Sequence, residues 1–221
     1  SSVVLVTTTP LWVAIFSPLL LHERLDKSVW VGLGLALVGG AVVGISDACR
    51  VGTVGISCPA PGSLLQGRAM AGNFLALVGA WCAAGYLMIG RRLRARLSLQ
   101  TYTTFVYGVA GLVLVVLVAA ARQAVTGFSP LIYLWLLCLA VIPQVLGHST
   151  YNWSLRYLPV TMVSVSLLGE PIGSTILAYL LLGETPTAVK LFGGLLILAG
   201  IYLAARRAAA PESDALLVDA S

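Results

Sequence analysis

Seven runs of about 20 largely apolar residues, each bounded by charges or turn residues, leave this chain few ways to fold. They cover Val3–Leu21, Val29–Ile45, Met70–Gly90, Thr101–Ala121, Leu131–Ser154, Val160–Leu182 and Val189–Ala205. A helix rises about 1.5 Å per residue, so each run matches the roughly 30 Å hydrocarbon layer of a bilayer. Membrane-spanning strands are shorter and alternate apolar with polar residues, whereas Gly111–Ala121 is apolar on every side. With 59% hydrophobic and 10% charged residues, the chain lacks the charge to clothe a water-facing surface, where roughly a quarter of residues are charged. The predicted class is therefore all-α, a polytopic transmembrane helix bundle whose first partner is the lipid bilayer. The net charge of +5 does not point to nucleic acid, because that reading needs a basic patch on a soluble face.

The basic residues orient the bundle. Alternating the loops puts Arg24, Lys27, Arg91, Arg92, Arg94, Arg96, Arg156, Arg206 and Arg207 on one side, and Arg50, Arg68, Arg122 and Lys190 on the other. Positive residues accumulate on the cytoplasmic side, so the larger group, with the C-terminus, is predicted to face the cytoplasm across a plasma or inner membrane. The Arg91–Arg96 run is then a topology anchor between spans, with a lipid-headgroup or nucleic-acid patch as the weaker alternative. The start, Ser-Ser-Val-Val without Met or a preceding basic segment, reads as an N-terminal truncation. Residues 208–221 lack a helical stripe and are expected to be a disordered cytoplasmic tail.

Residues 4–44 laid on 165–205, an ungapped offset of 161, align Pro10 with Pro171, Glu23 with Glu184, Gly32 with Gly193 and Gly39 with Gly200. The first span thus repeats as the sixth and the second as the seventh. Five spans separate the copies, an odd number, so they must cross in opposite directions. Inverted repeats of this kind build secondary transporters, in which two halves rock about a midplane site. With a five-helix unit, seven spans of an expected ten are present. Residues 1–45 supply the last two helices of a first repeat, 46–69 an extracytoplasmic loop, and 70–207 a complete second repeat.

The motifs Gly147-His-Ser-Thr-Tyr-Asn-Trp-Ser-Leu-Arg-Tyr-Leu-Pro159, Val165-Ser-Leu-Leu-Gly-Glu-Pro171, Leu180-Leu-Leu-Gly-Glu-Thr-Pro186 and Gly193-Gly-Leu-Leu-Ile-Leu-Ala-Gly-Ile-Tyr202 resemble the EamA-type permeases of the drug/metabolite transporter superfamily. The pattern of a Pro-bearing helix ending in Leu-Leu-Gly-Glu before a Gly-rich last helix recurs at the first two spans through His22-Glu23-Arg24-Leu25. The resemblance implies ten helices in two inverted five-helix units, cytoplasmic termini, and export of a small metabolite, amino-acid-like or drug-like solute. The first three helices of that pattern are absent.

Glu170 is the only acid within a span, and a carboxylate in hydrocarbon is costly enough to mark a function or a buried partner. Ser166, Glu170, Gly173 and Ser174 fall on one helical face. Two roles fit: a cavity or proton-coupling acid, or a structural acid that satisfies the backbone loosened by Pro171. In the fifth span Gln144, His148, Asn152 and Arg156 recur every fourth residue beside Tyr151, so this stripe should face the bundle interior or a wet path. Solute contact and simple interhelix bonding are equally compatible with it, and Arg156 reads as an interfacial anchor. Glu23 and Glu184, just past the ends of the first and sixth spans, read as hinge or capping residues that stabilise the start of the helix following each. The glycines, Gly32 and Gly193 among them, read as sites of close helix packing.

Cys49 and Cys58 share the loop placed outside, where a disulfide between them is permitted. No Cys-x-x-Cys or His-x-x-His spacing suggests a metal, and no nucleotide loop is present, so neither metal nor cofactor is expected. A seven-helix receptor of the retinal type would need a Lys deep in a span, but Lys27 and Lys190 lie at the edges. An intramembrane enzyme built on Ser149 and His148 fails because adjacent helical residues point about 100° apart. A non-enzymatic secondary transporter is the reading that remains.

Overall fold

The computed structural model describes residues 5–23, 25–48, 50–52, 55–57 and 67–206. In chain order these form α1 (Thr9–Leu20), α2 (Lys27–Ala48), a short hairpin of β1 (Arg50–Gly52) and β2 (Gly55–Ser57), α3 (Gly67–Arg94), α4 (Leu99–Ala120) and α5 (Pro130–Leu139). A π-helix over Ala140–His148 leads into α6 (Ser149–Ser154), and α7 (Val160–Ser166) joins α8 (Glu170–Leu182) through a 3₁₀ turn at Leu167–Gly169, before α9 (Ala188–Ala205) closes the series.

Six of the expected spans are long and apolar enough to cross a membrane. Within the remaining one the regular helix, α1, has 12 residues, about 18 Å at the α-helical rise. The fold is the expected helical bundle, with one short addition. The loop after α2 contains an antiparallel strand pair with Arg50 opposite Ser57 and Gly52 opposite Gly55. Three-residue strands carry no periodicity that span-counting could detect. Two helices also overrun their expected ends, α2 to Ala48 and α3 to Arg94. Cys49, Cys58 and the expected tail lie outside the described residues.

The chain divides into two compact units, 1–88 with 158–221, and 89–157. In the first, Ala14, Leu33, Ala36, Val43, Val165, Leu168, Ile197 and Ala204 form the core. Its axis is the antiparallel pair α2 and α9. A Cβ on Gly32 would sit 2.5 Å from the Gly200 carbonyl oxygen, and one on Gly200 would sit 2.5 Å from that of Gly32. Gly39 and Gly193 stand in the same relation at 2.6 and 2.9 Å. Further relations are also exchanged: an added Cβ on Gly32 would lie 2.8 Å from the Ala204 nitrogen as one on Gly193 would lie 3.1 Å from that of Val43, and one on Gly39 2.8 Å from the Ile197 nitrogen as one on Gly200 2.6 Å from that of Ala36. Adding or subtracting the sequence offset turns each contact into its mate, as in an isologous interface.

In the second unit Gly90 plays the comparable part, since a Cβ there would lie 2.9 Å from both the Tyr102 hydroxyl and Leu155 Cδ1. Tyr102 is the one buried residue of α4, and α5 has none. Leu112, Leu114 and Leu117 are more than half exposed, a surface that suits lipid and not water.

Replacing Gly39 or Gly200 by Ala forces backbone apart and should cost about 1–3 kcal/mol, whereas Gly34→Ala, with open space around it, should be neutral or stabilising. Detergent-denaturation midpoints of the three variants check this, and equal midpoints would refute close backbone packing.

Candidate functional site

In the fifth span the chain leaves α-geometry just where the polar stripe runs. Pro143 lacks a backbone donor, and the segment around it winds as a nine-residue π-helix. In an α-helix a residue four positions on leads by about 40°, while in the wider i→i+5 turn it lags, so the π segment opposes the drift of a four-residue repeat. The stripe nevertheless divides by burial: Asn152 is fully buried and Tyr151 half-buried, whereas Gln144, His148 and Arg156 are exposed. His148 and Tyr151 stack edge to face, their ring centroids 6.3 Å apart.

Asn152 is the inner end of a polar cluster that also takes in α4. Its Nδ2 donates to the Tyr107 hydroxyl at 3.3 Å, and that hydroxyl lies 3.2 Å from Ser149 Oγ and 3.5 Å from the Gln144 carbonyl oxygen. Tyr107 was not singled out from the sequence, and Ser149 was weighed there only as a nucleophile beside His148; the two lie 42 positions apart, so only packing reveals the pair. The cluster offers a phenol, an alcohol and an amide within one helix bundle, groups that can both donate to and accept from a polar solute.

Two arginines of the presumed loop anchor also prove to be helical and structural. Arg94, at 2% exposure, donates from Nε to the Asn152 carbonyl at 2.9 Å, and Arg91 Nη1 donates to the carbonyls of Leu155 and Arg156 at 2.8 and 2.9 Å. They cap the end of α6, where carbonyls have no partner further along the helix.

Glu170, Ser166 and Ser174 belong to the other unit, where the sixth span breaks. Pro171 sits in the first turn of α8, so the helix restarts at Glu170 after the 3₁₀ turn. The hydroxyls nearby serve their own backbone: Ser166 donates to the Val163 carbonyl at 2.7 Å, while Ser174 and Thr175 donate to that of Pro171 at 3.0 and 2.7 Å. Each hydroxyl has one proton, so Ser166 and Ser174 have only acceptor capacity left for a solute. Glu170 is exposed at the break, and a cleft of about 390 Å3 beside it is lined by Pro171, Thr175, Ile176, Leu195 and Leu198.

The repeat-related acids take different positions. Both carboxylate oxygens of Glu23 accept the Val160 N–H, at 3.1 and 3.2 Å, so this acid caps α7. At the start of α2 Asp26 accepts the Lys27 N–H at 2.6 Å. Beside the Glu23 clasp Ser17 Oγ lies 3.1 Å from Thr161 Oγ1, tying α1 to α7 a second time. Glu184 is exposed in a smaller cleft of about 180 Å3 with Ser46, Thr187 and Lys190. The residue before each acid has a left-handed backbone, His22 at φ 58° and Gly183 at φ 69°. Glycine takes that turn freely, whereas His22 is held in it at a cost. Pro10 is buried in the first turn of α1, matching Pro171 in α8. Among the described residues no cluster of His, Cys, Asp and Glu could hold a metal.

Residues 70–206 match the EamA-like transporter family. An uncharacterized transporter of Archaeoglobus fulgidus is 32% identical over 74 residues, which cover 34% of this chain and 27% of that protein. A further uncharacterized transporter of the same organism is 26% identical over 204 residues, 92% of this chain and 67% of its own length. The uncharacterized transporter YdfC of Bacillus subtilis is 22% identical over 89% of this chain and 59% of its own. This chain therefore spans about a quarter of the first relative and little more than half of YdfC. A solved crystal structure with 21% sequence identity superposes with a TM-score of 0.74 over 92% of this chain and 66% of that one, a likeness of fold. With more than half of its length matched, the chain belongs to the EamA-like transporter family, as a multi-pass helical membrane protein.

Proposed function

We propose that the protein is a secondary transporter that moves a small metabolite, amino-acid-like or drug-like solute outward across the plasma or inner membrane, by alternating access between inverted repeats. The observation that carries this reading is the exchange of contacts across α2 and α9, in which Gly32 with Gly200 mirrors Gly39 with Gly193. A two-fold relation between antiparallel helices is what two copies of opposite topology would produce, and such copies are the working parts of alternating access. The left-handed turns at His22 and Gly183, one offset apart, support the same relation. On this reading residues 1–45 close a first repeat and 70–207 make a second, with the arginine-rich ends and the C-terminus in the cytoplasm.

Each unit offers its own candidate groups for solute. Tyr107, Ser149, Asn152 and the neighbouring Gln144, His148 and Tyr151 supply hydrogen bonding in one unit. Glu170 supplies the charge in the other, at a helix break flanked by Ser166 and Ser174. A carboxylate exposed at a broken helix can hold a proton or a solute cation while the backbone there remains satisfied by hydroxyls. Glu23, clasping the start of α7, holds the ends of α1 and α7 together and acts in the conformational change and not in solute recognition.

Counterflow of labelled solutes into vesicles holding the full-length protein tests the activity, and absence of exchange across a broad panel overturns it. Glu170→Gln should lower the initial rate by about tenfold, the equivalent of about 1.4 kcal/mol, and Glu23→Gln by less, because its amide oxygen still accepts the Val160 N–H. Equal rates in the two variants would remove Glu170 from the path. Tyr107→Phe should weaken the bundle by about 1 kcal/mol in a denaturation titration, the scale of an interhelix hydrogen bond in a membrane.

A further inference from the structure

Residues 89–157 contain arginines at 91, 92, 94, 96, 122 and 156 and no Asp or Glu. All but Arg122 gather at one end of this unit. Arg91 and Arg94 are spent on the carbonyls of Asn152, Leu155 and Arg156, which brings the end of α3 against the end of α6. Arg96 and Arg156 stay exposed, and the unit itself has no carboxylate to neutralise them.

The surroundings indicate what does. One span ends at Arg94, the next begins at Leu99 and a third ends at Ser154, so this end of the unit lies at the boundary between hydrocarbon and headgroups. Trp153 and Tyr157 pack there with centroids 4.9 Å apart and planes tilted by 50°, at 50% and 59% exposure, and the Arg156 guanidinium lies 6.0 Å from the Tyr157 ring. Exposed rings with an apolar body and a polar tip settle at headgroup depth. A guanidinium is a fork of donors that fits a phosphate, and uncompensated arginines at a membrane surface draw anionic lipid.

We propose that Arg96 and Arg156, with the Trp153–Tyr157 pair as an apolar seat, form a binding site for the headgroup of an anionic phospholipid. A dissolved phosphate would use the guanidiniums alone, whereas a lipid uses the rings as well, and this favours the lipid. The caps made by Arg91 and Arg94 stiffen the site by tying it to two helices, so they belong to its frame and not to its contacts.

The test is native mass spectrometry of the full-length protein released from nanodiscs of phosphatidylcholine with graded phosphatidylglycerol. Wild-type protein should retain phosphatidylglycerol in preference to phosphatidylcholine. Arg96→Gln with Arg156→Gln should reduce that retention by about fivefold per arginine, while Arg122→Gln leaves it unchanged. The paired Lys substitutions should keep most of it, and Trp153→Ala should lower it with the arginines intact. Retention unaltered in a double Gln variant of unchanged melting temperature overturns the site, as does displacement of the lipid by millimolar inorganic phosphate. Should the double variant fail to fold, Arg96→Gln alone, in the exposed turn after α3, decides the question by the same readout.

Discussion

The structure depends on the backbone contact between α2 and α9. Between helices in a bilayer there is no hydrophobic drive, because lipid tails are as apolar as leucine, so association rests on van der Waals contact and hydrogen bonds. Gly32, Gly39, Gly193 and Gly200 supply that contact by having no side chain, which lets carbonyl oxygens reach positions a Cβ would otherwise fill. The core of Leu33, Ala36, Val43, Ile197 and Ala204 forms around this crossing, and Val165 and Leu168 of the sixth span pack onto it. The span that packs on the crossing is the one that breaks at Glu170.

A second constraint follows from the same solvent. Backbone groups freed by a proline or at a helix end find no water in hydrocarbon and must be satisfied by protein. The molecule meets this in three ways. Hydroxyls of Ser166, Ser174 and Thr175 bond carbonyls of their own helix near Pro171, Arg91 and Arg94 take the carbonyls at the end of α6, and Glu23 takes the N–H at the start of α7. Scarce polar residues are therefore spent first on the fold. Tyr107, Ser149 and Asn152 bond one another across two helices, so in that unit side chains also satisfy side chains.

Much of this was legible in the residues. Apolar runs near 20 residues locate the six long spans, since length against bilayer thickness is a one-dimensional criterion that needs no knowledge of neighbours. The glycines at 32, 39, 193 and 200 were readable as packing sites because spacing alone puts them on one face. The pairing of Tyr107 with Ser149 was not legible, for its significance lies in the two facing each other across two helices. Arg91 and Arg94 were read as loop charges because a basic run looks alike whether it meets water or bends back onto carbonyls. The same holds for Glu23, whose capped helix begins at Val160, far away in sequence.

The sequence by itself determined that the chain lies in a membrane as a set of helices, that two of its segments repeat at a fixed offset, and where acids and prolines interrupt the apolar runs. These are properties of composition and spacing, and lipid as solvent admits few alternatives to them. Only the tertiary structure decided which glycine meets which, that the α2 and α9 contacts come in exchanged pairs, and which polar side chains bond backbone far away in sequence. Pairing between distant segments is decided by how surfaces pack in three dimensions, and no local pattern along the chain encodes a partner more than a hundred residues away.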